Sequence, residues 1–305
     1  MNTHSSLPRT SVVILNWNSA QLVCDAASSV YEQAGVLPTV IVVDNGSTDG
    51  SVAEIERAFP DVTVLRNGTN KGFAAGNNVG IRYALASGAP SVLLLNNDAR
   101  LQPDALQAMM SRLLKYPSRG IVVPKITFDA PDENRIWAAG ARWRRFPPRV
   151  TMRGYGSLDR GQYDTPGELQ YATGCALLVD AGVFETAGLL DESYFMYHED
   201  YAFCDQARAH GFALWYEPGA VVRHRVSAST GEGSPQKWRF WGQAAVLFYR
   251  QHYRLRVQAG LSLAAFLMWV AVRESVKGRR GWLGPLARGV AAGLADRGGQ
   301  DSRRE

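Results

Sequence analysis

Hydrophobic and polar positions in the first 125 residues repeat one rhythm. Short apolar runs alternate with longer stretches whose apolar positions recur three or four apart. The runs at 11–16 (SVVILN), 39–43 (TVIVV), 62–65 (VTVL), 91–95 (SVLLL) and 120–124 (GIVVP) show no helical period and read as buried strands. Between them, 20–31, 51–59, 72–86 and 103–116 read as helices. Pro60 stops the second, and Pro103 sits near the first turn of the fourth, where a missing N–H costs nothing. Strand–helix alternation with short links predicts an α/β fold: a doubly wound, mostly parallel sheet with right-handed crossovers and helices on both faces.

The rhythm breaks at 125–168, a stretch rich in Arg, Pro, Gly and Trp that reads as an irregular insertion with a hairpin. A strand at 170–179, a helix at 199–210 and short strands at 213–216 and 220–225 follow. Residues 227–236 (SASTGEGSPQ) read as a flexible loop, and 237–253 as a helix with aromatics on one side. The most apolar stretch, 257–272, is shorter than the roughly 18 to 20 residues that cross a bilayer. Arg254 and Arg256 flank one end, and Arg273, Lys277, Arg279 and Arg280 the other. This pattern suits a helix lying in a membrane interface, or one packed on the domain or on a second copy. From 281 onward the chain reads as a fraying Gly/Arg tail. Residues 1–236 therefore form one domain, and 237–305 a helical, basic segment.

Charge sharpens that division. Residues 237–305 hold thirteen Lys and Arg against four Asp and Glu, whereas the remainder is mildly acidic. A basic end suits anionic lipid headgroups, a polyphosphate substrate or a merely solvated helix face. Nucleic acid is disfavoured, because no helix-turn-helix, zinc or RNP signature is present. The three cysteines are scattered and suit a reducing compartment, and the polar N-terminus suggests no signal peptide.

The chemistry gathers at strand ends, where α/β sheets bind ligands. Asn96, Asn97 and Asp98 end the 91–95 run, and Asp98 offers a hard oxygen for Mg²⁺ or Mn²⁺. Asp44, in VVDNGSTDGS, can accept a pyrimidine N3–H or a ribose hydroxyl, or cap a turn. Asn16-Trp17-Asn18 ends the first strand, and its indole could stack on a base. The small-residue stretch 70–78 opens a helix and could receive phosphate or nucleoside, yet it is no P-loop or G-x-G-x-x-G. Glu199 and Asp200 start a helix behind Tyr194, Phe195 and Tyr197; one of the two can face a cleft and take a proton from a hydroxyl. His224 could ligate metal as a neutral imidazole, which ties activity to pH above about 6.5. Trp137, Trp143, Arg142, Arg144 and Arg145 could meet a carbohydrate or phosphate.

The ordered set SVVILNWN, VDNGSTDGS, NKGFAAGNN, LLLNNDA, TGCALLVD, GLLDESYFMYHED and PGAVVRH resembles the family 2 inverting glycosyltransferases, most closely their rhamnosyltransferase-like branch. The resemblance covers roughly 11–229 and implies a GT-A fold that binds a nucleotide diphosphate sugar. It puts Leu15, Asn16 and Trp17 beside the base, Asp44 on its edge, and Lys71, Gly72, Asn77 and Asn97 along the donor. Asp98 and His224 become the metal ligands for Mg²⁺ or Mn²⁺. Asp200 becomes the general base with Glu199 beside it, and Gly174, Asp191 and Glu192 line the sugar and acceptor side. Asn96 replaces the first acid of the family's D-x-D, Ala202 replaces an acid after the E-D pair, and Leu189 replaces a glycine before Asp191. The implied donor is dTDP-rhamnose, with UDP-sugars possible, and the implied acceptor a glycan or lipid-linked hydroxyl in cell-surface polysaccharide synthesis. The expected location is the cytoplasm, with peripheral contact on the inner face of the membrane. Rival readings are a sugar-nucleotide-binding protein with weakened catalysis and a membrane-tethered interaction module.

Overall fold

The computed structural model describes residues 7, 9–115, 120–226 and 234–296. Most of the loop read at 227–236, the end of the 103–116 helix, the first six residues and the last nine lie outside them.

The alternating half folds as its pattern predicts. Strands β1 (Thr10–Asn16), β2 (Pro38–Asp44), β3 (Thr63–Arg66) and β4 (Ser91–Leu95) alternate with helices α1 (Ala20–Tyr31), α2 (Ser51–Ala58) and α3 (Gly72–Ala86). After β4 come a short strand β5 (Ala99–Leu101), helix α4 (Ala105–Lys115) and strand β6 (Ile121–Phe128). Strands β1 to β4 are mutually parallel in the order β3-β2-β1-β4, with Asn16 beside Asp44 and Ile14 beside Leu95. Alternate residues of β1 point to opposite faces, Val12 and Ile14 into one apolar layer with α1 and α4, and Val13 into the other with α3. Helix α3 comes close to the sheet because a Cβ at Gly80 would stand 2.5 Å from the Val13 side chain.

Beyond β4 the sheet is mixed. Strand β11 (Ala176–Asp180) lies antiparallel between β4 and β6, so its first residues meet the carboxyl end of β4. A single strand, β12 (Leu214–His224), replaces the two short strands expected at 213–216 and 220–225. It runs parallel to β6 and is broken by a bulge between Glu217 and Val221, opposite Pro124, which has no N–H to give the ladder. The insertion 125–168 contributes β7 (Ile136–Ala138) beside β6 and the expected hairpin, β8 (Ala141–Arg144) with β9 (Arg149–Met152). Strand β10 (Gly167–Leu169) closes the far edge against β12. Helix α5 (Ala181–Ala187), capped by Asp180, follows β11, and helix α6 (Glu199–Ala209) precedes β12.

Three helices end the described chain: α7 (Pro235–His252), α8 (Arg256–Val276) and α9 (Leu283–Ala295). Trp238 and Phe248 of α7 share an apolar layer with Phe203 of α6. Two expectations change here. Residues 283–295 do not fray, because Gly289 and Gly293 bring α9 against the backbone of α7 at Arg239 and Gln243, where no Cβ would fit. Helix α8 has 21 residues, because it runs on past the apolar stretch through Arg273 and Glu274, so by length it could cross a membrane.

Candidate active site

Register places the chemistry on one rim. The carboxyl ends of β1, β2 and β4 present Asn16, Asp44 and the turn 96–98, and Cys175 at the head of β11 accepts the Asn96 N–H at 2.9 Å. The end of β12 brings His224 to the same turn, paired with Ala99 of β5.

Asp98 and His224 meet directly. Both are buried, and His224 Nε2 lies 3.1 Å from Asp98 Oδ1. The Arg225 N–H donates to the Asp98 carbonyl at 2.8 Å and fixes the turn. Trp137 of β7 packs edge-on against the imidazole, 4.4 Å between ring centroids, so it braces His224; no carbohydrate contact is needed to explain its burial. Burial alone disfavours the imidazolium, but the Cys175 and Asp98 side chains outweigh it and push the His224 pKa up to about 10. A cation binding here must displace that proton, so metal binding is coupled to proton release. The donor set fits a hard divalent ion. Two cis ligands, each about 2.1 Å from an octahedral ion, stand about 3.0 Å apart. Among the described residues no group of three or more His, Cys, Asp or Glu side chains could hold a metal, so phosphate and water would complete the shell.

The Glu199–Asp200 pair is built differently. Tyr197 and His198 both have positive φ, +75° and +65°, a costly conformation outside glycine. That sharp turn sets the first residues of α6. Glu199 is buried and its Oε2 has no partner, while Asp200 is half-buried. Asp200 Oδ2 accepts the Gly174 N–H at 2.9 Å, and Oδ1 the Tyr201 N–H at 2.8 Å. Burial, only partly offset by these hydrogen bonds, pushes the Asp200 pKa up to about 6. Glu199 is driven well above the carboxylate range by burial and then by the Asp200 charge. Asp200 is the more exposed of the two, and both of its oxygens accept backbone N–H groups. Burial also pulls His198 down to about 4, so it is uncharged near neutral pH.

On the donor side Asn16 is a scaffold. Its buried amide donates to Asp44 Oδ1 at 3.0 Å, Ser47 Oγ at 3.1 Å and Ser51 Oγ at 2.9 Å. Asp44 also accepts the Ser47 N–H, so its carboxylate is fixed with lone pairs to spare. Trp17 is 42% exposed beside it, and Leu15 packs beneath Gly76. Lys71 is exposed at the start of α3, and Gly72 has φ +85° with a Cβ position blocked by the Phe195 carbonyl. Asn77 departs from expectation. Its amide donates to the Phe73 carbonyl at 2.9 Å, so it braces α3 from within. Asn97 lies half-buried between Asn96 and Asp98.

Asp191 and Glu192 hold a loop. Asp191 accepts from Gln251 of α7 at 2.7 Å and from Ser193, and Glu192 accepts from Asn78 and Arg82 at 2.9 and 2.7 Å. Gly174 acts through Asp200, as above. Trp143 stacks on His252 at 4.4 Å and packs, half-buried, against the core. Ala202 faces the apolar layer, where an acid would be buried without a partner. Sequence reasoning missed Asn45, whose side chain bonds Asn67, Asn70, Lys71 and Gly72 and ties the β2 turn to α3. It also missed Cys175 against His224. Only the VDNGS and TGC motifs hinted at either.

Residues 11–185 match the model of Glycosyl transferase family 2. The chain belongs to this family. The glycosyltransferase is 25% identical to the low-salt glycan biosynthesis hexosyltransferase Agl10 of Haloferax volcanii, over 96% of this chain and 93% of that one. It is 26% identical to the N-acetylglucosaminyl-diphospho-decaprenol L-rhamnosyltransferase of Mycobacterium tuberculosis, over 79% and 86%. Similarity to the dTDP-rhamnosyl transferase RfbF of Shigella flexneri is 23% over 61% and 60%. Among solved structures, the mannosyltransferase PcManGT of Pyrobaculum calidifontis, in complex with GDP-Man and Mn²⁺, superposes with a TM-score of 0.59 over 95% of this chain and 88% of that one, at 17% identity. GalNAc-T7 with UDP, GalNAc and Mn²⁺ gives 0.60 over 80% and 50%, at 16% identity. These neighbours share the GT-A fold, and the expectation of a GT-A glycosyltransferase holds.

Proposed function

We propose that this glycosyltransferase moves rhamnose from dTDP-rhamnose to a hydroxyl of a lipid-linked glycan by a single, inverting displacement. The observation that carries the reading is the pairing, on one rim, of a metal-type couple (Asp98 with His224) and a proton-accepting Asp200 hung from Gly174. Relatives named for dTDP-rhamnosyl and diphospho-decaprenol rhamnosyl transfer supply the donor and acceptor. UDP-sugars are the second donor class. A lipid-linked acceptor, as in the name of the mycobacterial relative, puts the proposed site of action at a membrane.

Asp44, held by Asn16, accepts from the base edge while Trp17 stacks on its face. Asp98 and His224 would hold Mg²⁺ or Mn²⁺, which when bound would offset negative charge on the leaving diphosphate. Asp200 takes the proton of the acceptor hydroxyl. That oxygen attacks C1 from the side opposite the diphosphate, the C1–oxygen bond to phosphate breaks, and the anomeric centre inverts. General base catalysis of this kind contributes about 10² to 10⁴-fold. Glu199 is buried beside Asp200, and that burial, with the Asp200 charge, raises its pKa and so disfavours a second negative charge there.

A panel of sugar nucleotides tested by thermal shift with Mn²⁺ checks the donor, because a ligand that binds only the folded state raises the melting temperature. dTDP-rhamnose should give the largest rise and should be consumed on adding a polyprenyl-diphosphate-linked N-acetylglucosamine. A larger rise with GDP-sugars, and no transfer from dTDP-rhamnose, overturns the donor assignment.

A further inference from the structure

Helix α8 is apolar on two opposite faces, and among the described residues only one of them is covered. Ala259, Phe266 and Val270 are buried, and Phe266 lies 5.2 and 5.5 Å, centroid to centroid, from Trp241 and Tyr249 of α7. At 3.6 residues per turn, Val257, Leu261, Met268, Val272 and Val276 fall on the other side, and each is 59–82% exposed. A helix in contact with water normally carries charged residues there. Here the only acid of α8, Glu274, is fully buried between Arg273 and Arg279, at 2.6 and 3.5 Å. No carboxylate interrupts the stripe. Exposed basic residues bracket it, Arg254 and Arg256 before, Lys277 and Arg280 after.

Such a patch is too continuous for ordinary surface. Length allows α8 to cross a bilayer, but its inner face is fastened to the domain. Arg149 of the β8–β9 hairpin stacks on Trp269 at 4.2 Å, and Arg273 lies over the same ring at 4.7 Å. A spanning helix would have to break these contacts. We propose that α8 lies flat in the surface of an anionic phospholipid membrane, its apolar stripe among the acyl chains and its basic ends among the phosphates. Phe266 on the inner face reaches within 6.4 Å, ring centroid to ring centroid, of His198, the residue before Glu199. The docked helix thus stands one side chain from the turn that sets the catalytic helix, and a membrane-borne acceptor would be presented there. The docking rests on the reading of a lipid-linked acceptor only for its purpose.

The full chain is sedimented with vesicles of phosphatidylcholine, with or without phosphatidylglycerol. It should partition onto the anionic vesicles, at least about tenfold more weakly onto neutral ones, and less as salt is raised. Leu261→Asp combined with Met268→Asp should cut binding at least about tenfold, with an unchanged melting temperature and unchanged thermal shift by dTDP-rhamnose. Wild-type chain left in the supernatant, or a double variant that binds as wild type, overturns the proposal. So does a lipid-free dimer, seen by analytical ultracentrifugation, that the same substitutions dissolve, because a second copy then covers the stripe. Donor binding without vesicle binding would sink this proposal alone and leave the enzymatic reading standing.

Discussion

Asp98 and Asp200 are the same side chain in opposite surroundings on one sheet rim. Asp98 faces an imidazole, 3.1 Å away, at a turn locked by Arg225. Asp200 faces backbone N–H groups beside Glu199, a buried carboxyl group whose pKa is driven up by burial and by the Asp200 charge. The first arrangement sets two buried donor atoms side by side and so suits a cation held under a phosphate. The second makes charge expensive and so suits a group that must pick up a proton. In the proposed mechanism environment, not residue type, divides ligand from base.

The largest effect should come from removing the base. Asp200→Asn should lower kcat at least about a hundredfold while donor affinity, measured by calorimetry, stays within about twofold. Next, Asp98→Ala should weaken Mn²⁺-dependent donor binding at least about tenfold, with little change when Mn²⁺ is omitted. Equal losses with and without the ion would erase the contrast between the two acids. Glu199→Gln sharpens it. Burial and the Asp200 charge push the Glu199 pKa well up, which disfavours a second charge in the pair, so kcat should fall by less than about tenfold; a hundredfold loss would transfer the base role to Glu199. The smallest effect belongs to Gly174→Ala. Its methyl would stand 3.2 Å from the Phe73 ring and 3.5 Å from Asp200 Cβ, and a several-fold drop in kcat with KM unchanged is expected.

The two halves of the chain were not equally readable. Strands β1 to β4 and helices α1 to α3 follow a clean alternation of periods, and each lies within a residue or two of its expected bounds. Where tertiary contacts decide, the pattern was silent. Strand β5 has three residues and exists because β12 pairs with it. The β12 bulge answers Pro124, more than ninety residues earlier in the chain. Helix α9 looked like a tail because its glycines, poor helix formers alone, matter only against α7. At the site, the motifs named Asp44, Asp98, Asp200 and His224, but side-chain direction was hidden. Asn77 and Trp137 looked like binding groups and instead support their neighbours, while Asn45 and Cys175 passed as turn and core.

The division of labour is tested most directly by kcat as a function of pH, from about 5 to 8, under saturating Mn²⁺ and donor. Asp200 must be ionised to accept a proton, and its raised pKa puts the loss of activity below about pH 6, well above the ordinary carboxylate range. Wild-type enzyme should show that falling acid limb, and Asp200→Asn should be flat at its low residual rate. An Asp200→Asn variant that keeps both near-normal turnover and the limb near pH 6 would contradict the account.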